Sequence, residues 1–294
     1  MKKFWIAVAI VAAVGFVCGV CGLAMGPELG AYWDLSGVHR AGGFQNIAET
    51  LDAPVTDIDL QVSSATVTFA QSDHYGYEVT NMPADNPITF QFDGRTLTVR
   101  QNIDWWHLRL FSFWTPDPAI TIYLPPDAAL NTVNLQFSSG SVTVNGLNAQ
   151  QVQVRFSSGS LTIADVQADT LNVQLTSGTA RINNTTAGSV TMGLSSGTLT
   201  ASGLVSQGFA LTVTSGSATL DGTFTGANTV RVSSGSARMT VHGNKADYSR
   251  DIAVSSGMAR VDGSGQNLND SNTGAANSLY ARISSGSFRV DFVE

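Results

Sequence analysis

The segment Gly193-Leu194-Ser195-Ser196-Gly197 has the spacing of a nucleophile elbow, in which a serine between two glycines is exposed at a sharp strand-to-helix turn. Its chemistry would be acyl transfer, and it would need a histidine, an acid and an oxyanion hole brought in from elsewhere. No helical pattern follows Gly197. The four histidines, His39, His74, His107 and His242, are isolated, and Asp104 beside His107 makes a pair rather than a zinc or catalytic set. Asn267, Asn269, Asp270, Asn272 and Gly274 have the composition of a calcium loop without its ligand spacing or terminal glutamate. The sequence therefore marks no catalytic, metal or cofactor-binding residue.

Charged and aromatic residues offer binding chemistry instead. Arg238, Arg260 and Arg289 each stand three residues after a glycine of the repeat described below, and Asp262 and Asp291 stand five after. If successive coils stack at about 4.8 Å, three guanidinium groups would line up and could hold a polyanion such as a teichoic acid or a lipid phosphate. The same column could instead be a solvated face neutralised by Asp262 and Asp291, which is the reading we prefer at this level. Arg260 with the two aspartates is also the one constellation that a solenoid polysaccharide lyase would have to use. Such an enzyme should show clustered acids and sugar-stacking aromatics that break the repeat, and these residues occupy ordinary repeat positions. A further segment, residues 104–118, concentrates Trp105, Trp106 and Trp114 with four other large apolar side chains. Tryptophan suits a membrane interface, so the segment either contacts the bilayer or a membrane partner, or caps the open core of the first coils.

The elements that must position these residues follow from a repeat. Ser-Ser-Gly or Thr-Ser-Gly recurs at one constant interval, at Gly140, Gly159, Gly178, Gly197, Gly216 and Gly235, and returns at Gly257 and Gly286. The third residue before each glycine is apolar, as are the second and fourth after it, with Thr, Arg, Gln and Asn between. Alternation with period two makes each repeat two short strands with one buried face. The expected fold is all-β: a parallel β-solenoid in which no coil has a core of its own and the eight glycine-marked coils span roughly 40 Å. The corner glycine is expected at φ > 0, with the neighbouring serines forming a hydroxyl ladder along the stack. Ser195 is then one rung of that ladder. Before the regular repeats of 131–294, residues 54–130 read as irregular coils. Ile58 to Phe69 is a degenerate coil with Ala65 at the glycine position, and Ile88 to Phe92, Thr96 to Val99 and Ala119 to Leu124 are strand-like, with a turn at Asp93-Gly94.

Lys2 and Lys3 precede an uncharged apolar run from Phe4 to Met25. Its length of about 33 Å as a helix would cross a hydrocarbon core of about 30 Å. Residues 1–26 are therefore expected to be an N-terminal transmembrane helix with the lysines cytoplasmic, and 27–53 a juxtamembrane linker. A cleaved signal peptide ending near Gly22-Leu23-Ala24 is the alternative. Both cysteines, Cys18 and Cys21, fall inside this run. Beyond it, the 15 basic side chains less Lys2 and Lys3 leave 13 against 22 acidic ones, which argues against nucleic acid as a partner.

Ile120-Thr121-Ile122-Tyr123-Leu124-Pro125-Pro126-Asp127, followed by Val133 to Val144 with its Phe137-Ser138-Ser139-Gly140 corner, resembles the signature of the putative-adhesin domain of unknown function of LiaG-like and YvlB-like bacterial envelope proteins. The resemblance covers residues 54 to 294. It implies a β-solenoid tethered outside the cell membrane, often associated with envelope stress, and it carries no ligand and no catalytic residue. The expectation is a single-pass, extracytoplasmic, non-catalytic solenoid for envelope interaction, adhesion or stress regulation. Its partners would be the lipid bilayer and a cell-wall polymer or a membrane-bound regulatory protein. A surface carbohydrate-active enzyme of β-helix type is the alternative.

Overall fold

The computed structural model describes residues 31–34, 37–40, 44–83, 88–101, 111–113, 117–263, 270–272 and 274–294. The apolar run and residues 105, 106 and 114 lie outside them. Among the described residues the one helical turn is Lys245–Asp247, and no helix is long and apolar enough to cross a membrane.

The repeat builds what its alternation predicts. Asn148–Phe156 and Ser160–Ala164 form one coil, and each strand pairs in parallel with its equivalent in the preceding repeat, Val152 with Val133 and Leu161 with Val142. Strict alternation then sends every second side chain inward, and stacking turns the coils into continuous buried columns such as Val133, Val152, Leu171, Val190 and Phe209. That column continues through Asn228, whose amide donates to the carbonyls of Phe224, Gly226 and Ser278. It ends at Arg250, whose guanidinium donates to the carbonyls of Lys245 and Tyr248 and so closes the core with a satisfied polar head.

Coil order departs from chain order at both ends. The strand Asp57–Gln71, first of the stack in sequence, pairs on one side with Ala129–Asn145 and on the other with Thr96–Gln101 and Ala119–Leu124. The outermost N-terminal layer is thus a later part of the chain. At the opposite end the Gly235 coil is followed in space by the last coil of the chain, Asn277–Ile283 with Ser287–Val293. The Gly257 coil, Tyr248–Val254 with Met258–Val261, packs outside it. Both chain ends of the stack are consequently held between two layers. One outer layer, the Ala65 layer and eight glycine coils make ten layers, about 43 Å at the usual spacing.

Several strand edges at the ends are covered by antiparallel strands, which hinders the stack from recruiting further chains there, while Met258–Val261 pairs on one side only among the described residues. Ala119–Leu124 is covered by Gly76–Pro83, which in turn pairs with Phe44–Thr50. Thr96–Gln101 is covered by Ile88–Phe92 across the expected turn, with Gly94 at φ 92° and Asp93 Oδ1 accepting from the amides of Arg95 and Thr96. Tyr248–Val254 is covered by Asp270–Asn272. Within the span expected to be a linker, Phe44–Thr50 joins the main sheet, while Ala31–Asp34 pairs with Gly37–Arg40 and with Phe111–Phe113 in a separate three-stranded sheet.

Candidate functional site

The corner triplets line one side of the stack. Their amides donate to carbonyls of the neighbouring coil, as in Ser196 N–H to Thr176 O at 2.7 Å and Ser285 N–H to Ser233 O at 2.7 Å. The expected hydroxyl ladder is sparse: Ser139 Oγ donates to Ser63 O and Ser158 Oγ to Ser138 O, while the remaining corners are held by these backbone bonds. The expectation of φ > 0 holds at Gly140, Gly159, Gly178 and Gly197 and not at Gly216, Gly235, Gly257 or Gly286. Close approach is the requirement common to all eight. A Cβ at Gly197 would stand 2.4 Å from Gly178 O, and one at Gly286 would stand 2.3 Å from Gly235 O. Ala65 holds the same position beside a layer in which Pro118 O accepts from the Thr66 amide at 2.9 Å, as Gly159 O accepts from the Thr179 amide in a regular coil. The Gln101 side chain takes the place of the two carbonyls that precede the corner glycine in regular coils, its Oε1 accepting from the amides of Ser63 and Ser64 at 3.0 and 3.3 Å.

Ser195 stands in such a corner between the strands Thr186–Leu194 and Thr198–Val213, with its amide on Leu175 O at 3.0 Å. A strand follows where a nucleophile elbow needs a helix. His242 faces Asp221 at 3.1 Å and His74 faces Asp73 at 2.8 Å, each pair exposed. Among the described residues no three His, Cys, Asp or Glu side chains are grouped closely enough to hold a metal ion. Asp104, His107, Asn267, Asn269, Trp105, Trp106 and Trp114 lie outside the described residues.

The three arginines do come together, in an order the sequence does not show. Arg289 lies between Arg238 and Arg260, in register with both, because the last coil inserts between the Gly235 and Gly257 coils. They line a pocket of about 220 Å³ with Ser236, Ser287 and Met258. This pocket adjoins a shallow groove of about 780 Å³ that runs over the corners from Gly197 to Gly257.

The neutralising aspartates divide unequally. Arg289 Nε donates to Asp291 Oδ2 at 2.6 Å, and this pairing holds the guanidinium's pKa above its ordinary value. Asp262, expected to balance Arg260, instead accepts from Lys245 Nζ at 2.9 Å and from the Phe292 amide at 2.9 Å. Burial alone would raise the Asp262 carboxyl, but these two contacts outweigh it and lower the pKa. Among the described residues no carboxylate pairs with Arg238 or Arg260, and Arg260 Nε is buried without a hydrogen-bond partner. Of the two expected pairings, Asp291 is on its arginine, Arg289, while Asp262 is on Lys245 rather than Arg260. Sequence reasoning also missed a second corner. Gly146, Asp165, Asn184 and Gly203, spaced by the same interval as the corner glycines, all have φ between 46° and 65°, the left-handed region that Gly, Asn and Asp tolerate best.

Comparison with known proteins bears on the fold. A putative adhesin from Bacteroides fragilis superposes with a TM-score of 0.50 at 15% identity, over 85% of this chain and 97% of that one. A putative lipid binding protein from Parabacteroides distasonis gives 0.51 at 15% identity, over 86% and 98%. No curated protein matches the sequence. The family model called Toastrack DUF4097 matches residues 55–293, the whole stack from its first inward-facing strand to its last. The repeated corners, the stacked parallel coils and this match lead to one conclusion: the chain belongs to the Toastrack DUF4097 family.

Proposed function

We propose that the chain is a non-catalytic, extracytoplasmic binding module of the cell envelope, held at the membrane by its N-terminal apolar segment. The observation that carries this reading is the surface: a rigid stack presents one long row of hydroxyls and backbone groups, ending in uncompensated arginines, on a chain of net charge −7. Such a face complements an extended ligand better than a compact substrate. The adhesin and lipid-binding descriptions of the two structural neighbours are compatible with a role at an envelope surface. The backbone of Phe111–Phe113 pairs with Ala31–Asp34, Phe111 opposite Trp33, so one end of the aromatic segment is tied to the chain that follows the apolar run. This pairing favours an N-terminal end turned toward the membrane, with Trp105, Trp106 and Trp114 available to the bilayer or to a membrane-bound partner.

The test has two parts. In cells producing the full chain, protease added outside should cut the solenoid while the protein stays in the membrane pellet with its N-terminus intact. A mature chain starting near Met25 and free in the medium would remove the anchor. Purified chain should also co-sediment with isolated envelope material, and failure to do so would reject the binding role.

A further inference from the structure

We propose that the groove ending at Arg238, Arg289 and Arg260 binds a linear, hydroxylated polymer linked through phosphodiesters; this deepens the envelope-binding reading and rests on it. Three like charges stand on adjacent rungs with one carboxylate among them, Asp291 on Arg289. Rungs are about 4.8 Å apart, so Arg238 and Arg260, which have no carboxylate partner among the described residues, flank Arg289 on backbones about 10 Å apart. Stacked cations repel, and on a chain of net charge −7 such a patch has no reason to form from general composition. An anion bridging the rungs relieves the repulsion.

The form of the site selects among anions. A single compact anion would need the guanidiniums to converge, whereas here they follow the stack axis. The adjoining groove runs along the same axis past Ser215, Ser234, Ser285 and Ser256, and crosses the contact between Ser287 Oγ and Ser236 Oγ at 3.1 Å. Its hydroxyls and exposed corner backbone donate and accept, which matches a polyol spacer between charged groups. A phosphodiester offers two non-bridging oxygens in a tetrahedral arrangement, able to reach guanidiniums on two rungs. A planar carboxylate matches one guanidinium fork, as Asp291 already does on Arg289.

The experiment uses the full chain in a non-ionic detergent and its R238Q/R260Q variant, with poly(glycerol phosphate) as the probe. The expected result is salt-sensitive binding that weakens at least tenfold in the variant, with a melting temperature unchanged or raised because like-charge repulsion is reduced. Equal binding by both proteins, or none by the parent, overturns the proposal. Equal competition by polygalacturonate of similar charge density overturns the selectivity for phosphate. Binding of phosphatidylglycerol in mixed micelles without binding of the polymer would make the ligand a lipid headgroup and overturn the polymer assignment. Co-sedimentation with envelope material separates the two levels. Undiminished co-sedimentation of R238Q/R260Q defeats this site and leaves the envelope role standing, while absence of co-sedimentation by the parent defeats the envelope role itself.

Discussion

At the corner glycines the stack leaves room for a hydrogen and nothing larger. Gly197 combines φ 131° with a steric bar: its Cβ would meet Gly178 O at 2.4 Å, a backbone atom held by the ladder. Gly197→Val should therefore cost about 3 kcal/mol or more, whereas Ser195→Ala removes an exposed hydroxyl and should stay within about 0.5 kcal/mol. Thermal denaturation of the two variants measures the contrast. A hydrolase activity abolished by Ser195→Ala at unchanged stability would overturn the non-catalytic reading. Gln101 is the second residue whose role comes from what lies beside it. Replacing it with leucine leaves the amides of Ser63 and Ser64 without their acceptor and should destabilise by about 1–3 kcal/mol, while Gln101→Glu keeps an acceptor and should lose less. Equal effects of the two substitutions in a denaturant titration would show that the acceptor is unimportant.

Among the elements, the last coil differs most from what a simple solenoid would contain. Asn277–Ile283 and Ser287–Val293 each have a parallel partner on both sides, so they act as an interior layer although they end the chain. Truncation after Ala276 should then cost more than one coil. It removes the layer that joins Tyr248–Val254 and Met258–Val261 to the rest, and the Gly257 coil should lose its order with it. Hydrogen exchange on the truncated chain provides the measurement: protection at Ile252 and Val261 should vanish while that at Val190 persists. Retained protection at Ile252 would mean that the Gly257 coil can dock directly on the Gly235 coil.

For the molecule as a whole, interlocked ends change how the stack should open. Repeat proteins commonly fray from their chain ends, since each unit contacts only its sequence neighbours. Here Asp57–Gln71 and Asn277–Ile283 lie one layer in, and amides of Leu60 and Ala281 should exchange more slowly than those of Phe90 and Ile252 in the outermost layers. Much of the architecture was legible beforehand, because alternation with period two and a corner glycine at a constant interval leave few ways to bury the apolar side chains except by stacking. The degenerate coil around Ala65 and the turn at Asp93-Gly94 were legible for the same local reasons. The candidate site was legible only as a set of residue types: Arg238, Arg260 and Arg289 could be named, but neither their order nor their partners. The second corner at Gly146, Asp165, Asn184 and Gly203 was present in the sequence as a run of turn-forming residues at the same spacing and went unread. What the sequence by itself determined is the coil, since strand, corner and inward face are all set within a single repeat. Only the tertiary structure decided which coil lies on which. Every coil carries the same corner and the same alternation, so each could stack on any other in register, and neighbours are chosen by long-range contacts and chain closure that no local pattern encodes. Arg289 between Arg238 and Arg260, and Asp262 turned to Lys245, follow from that choice.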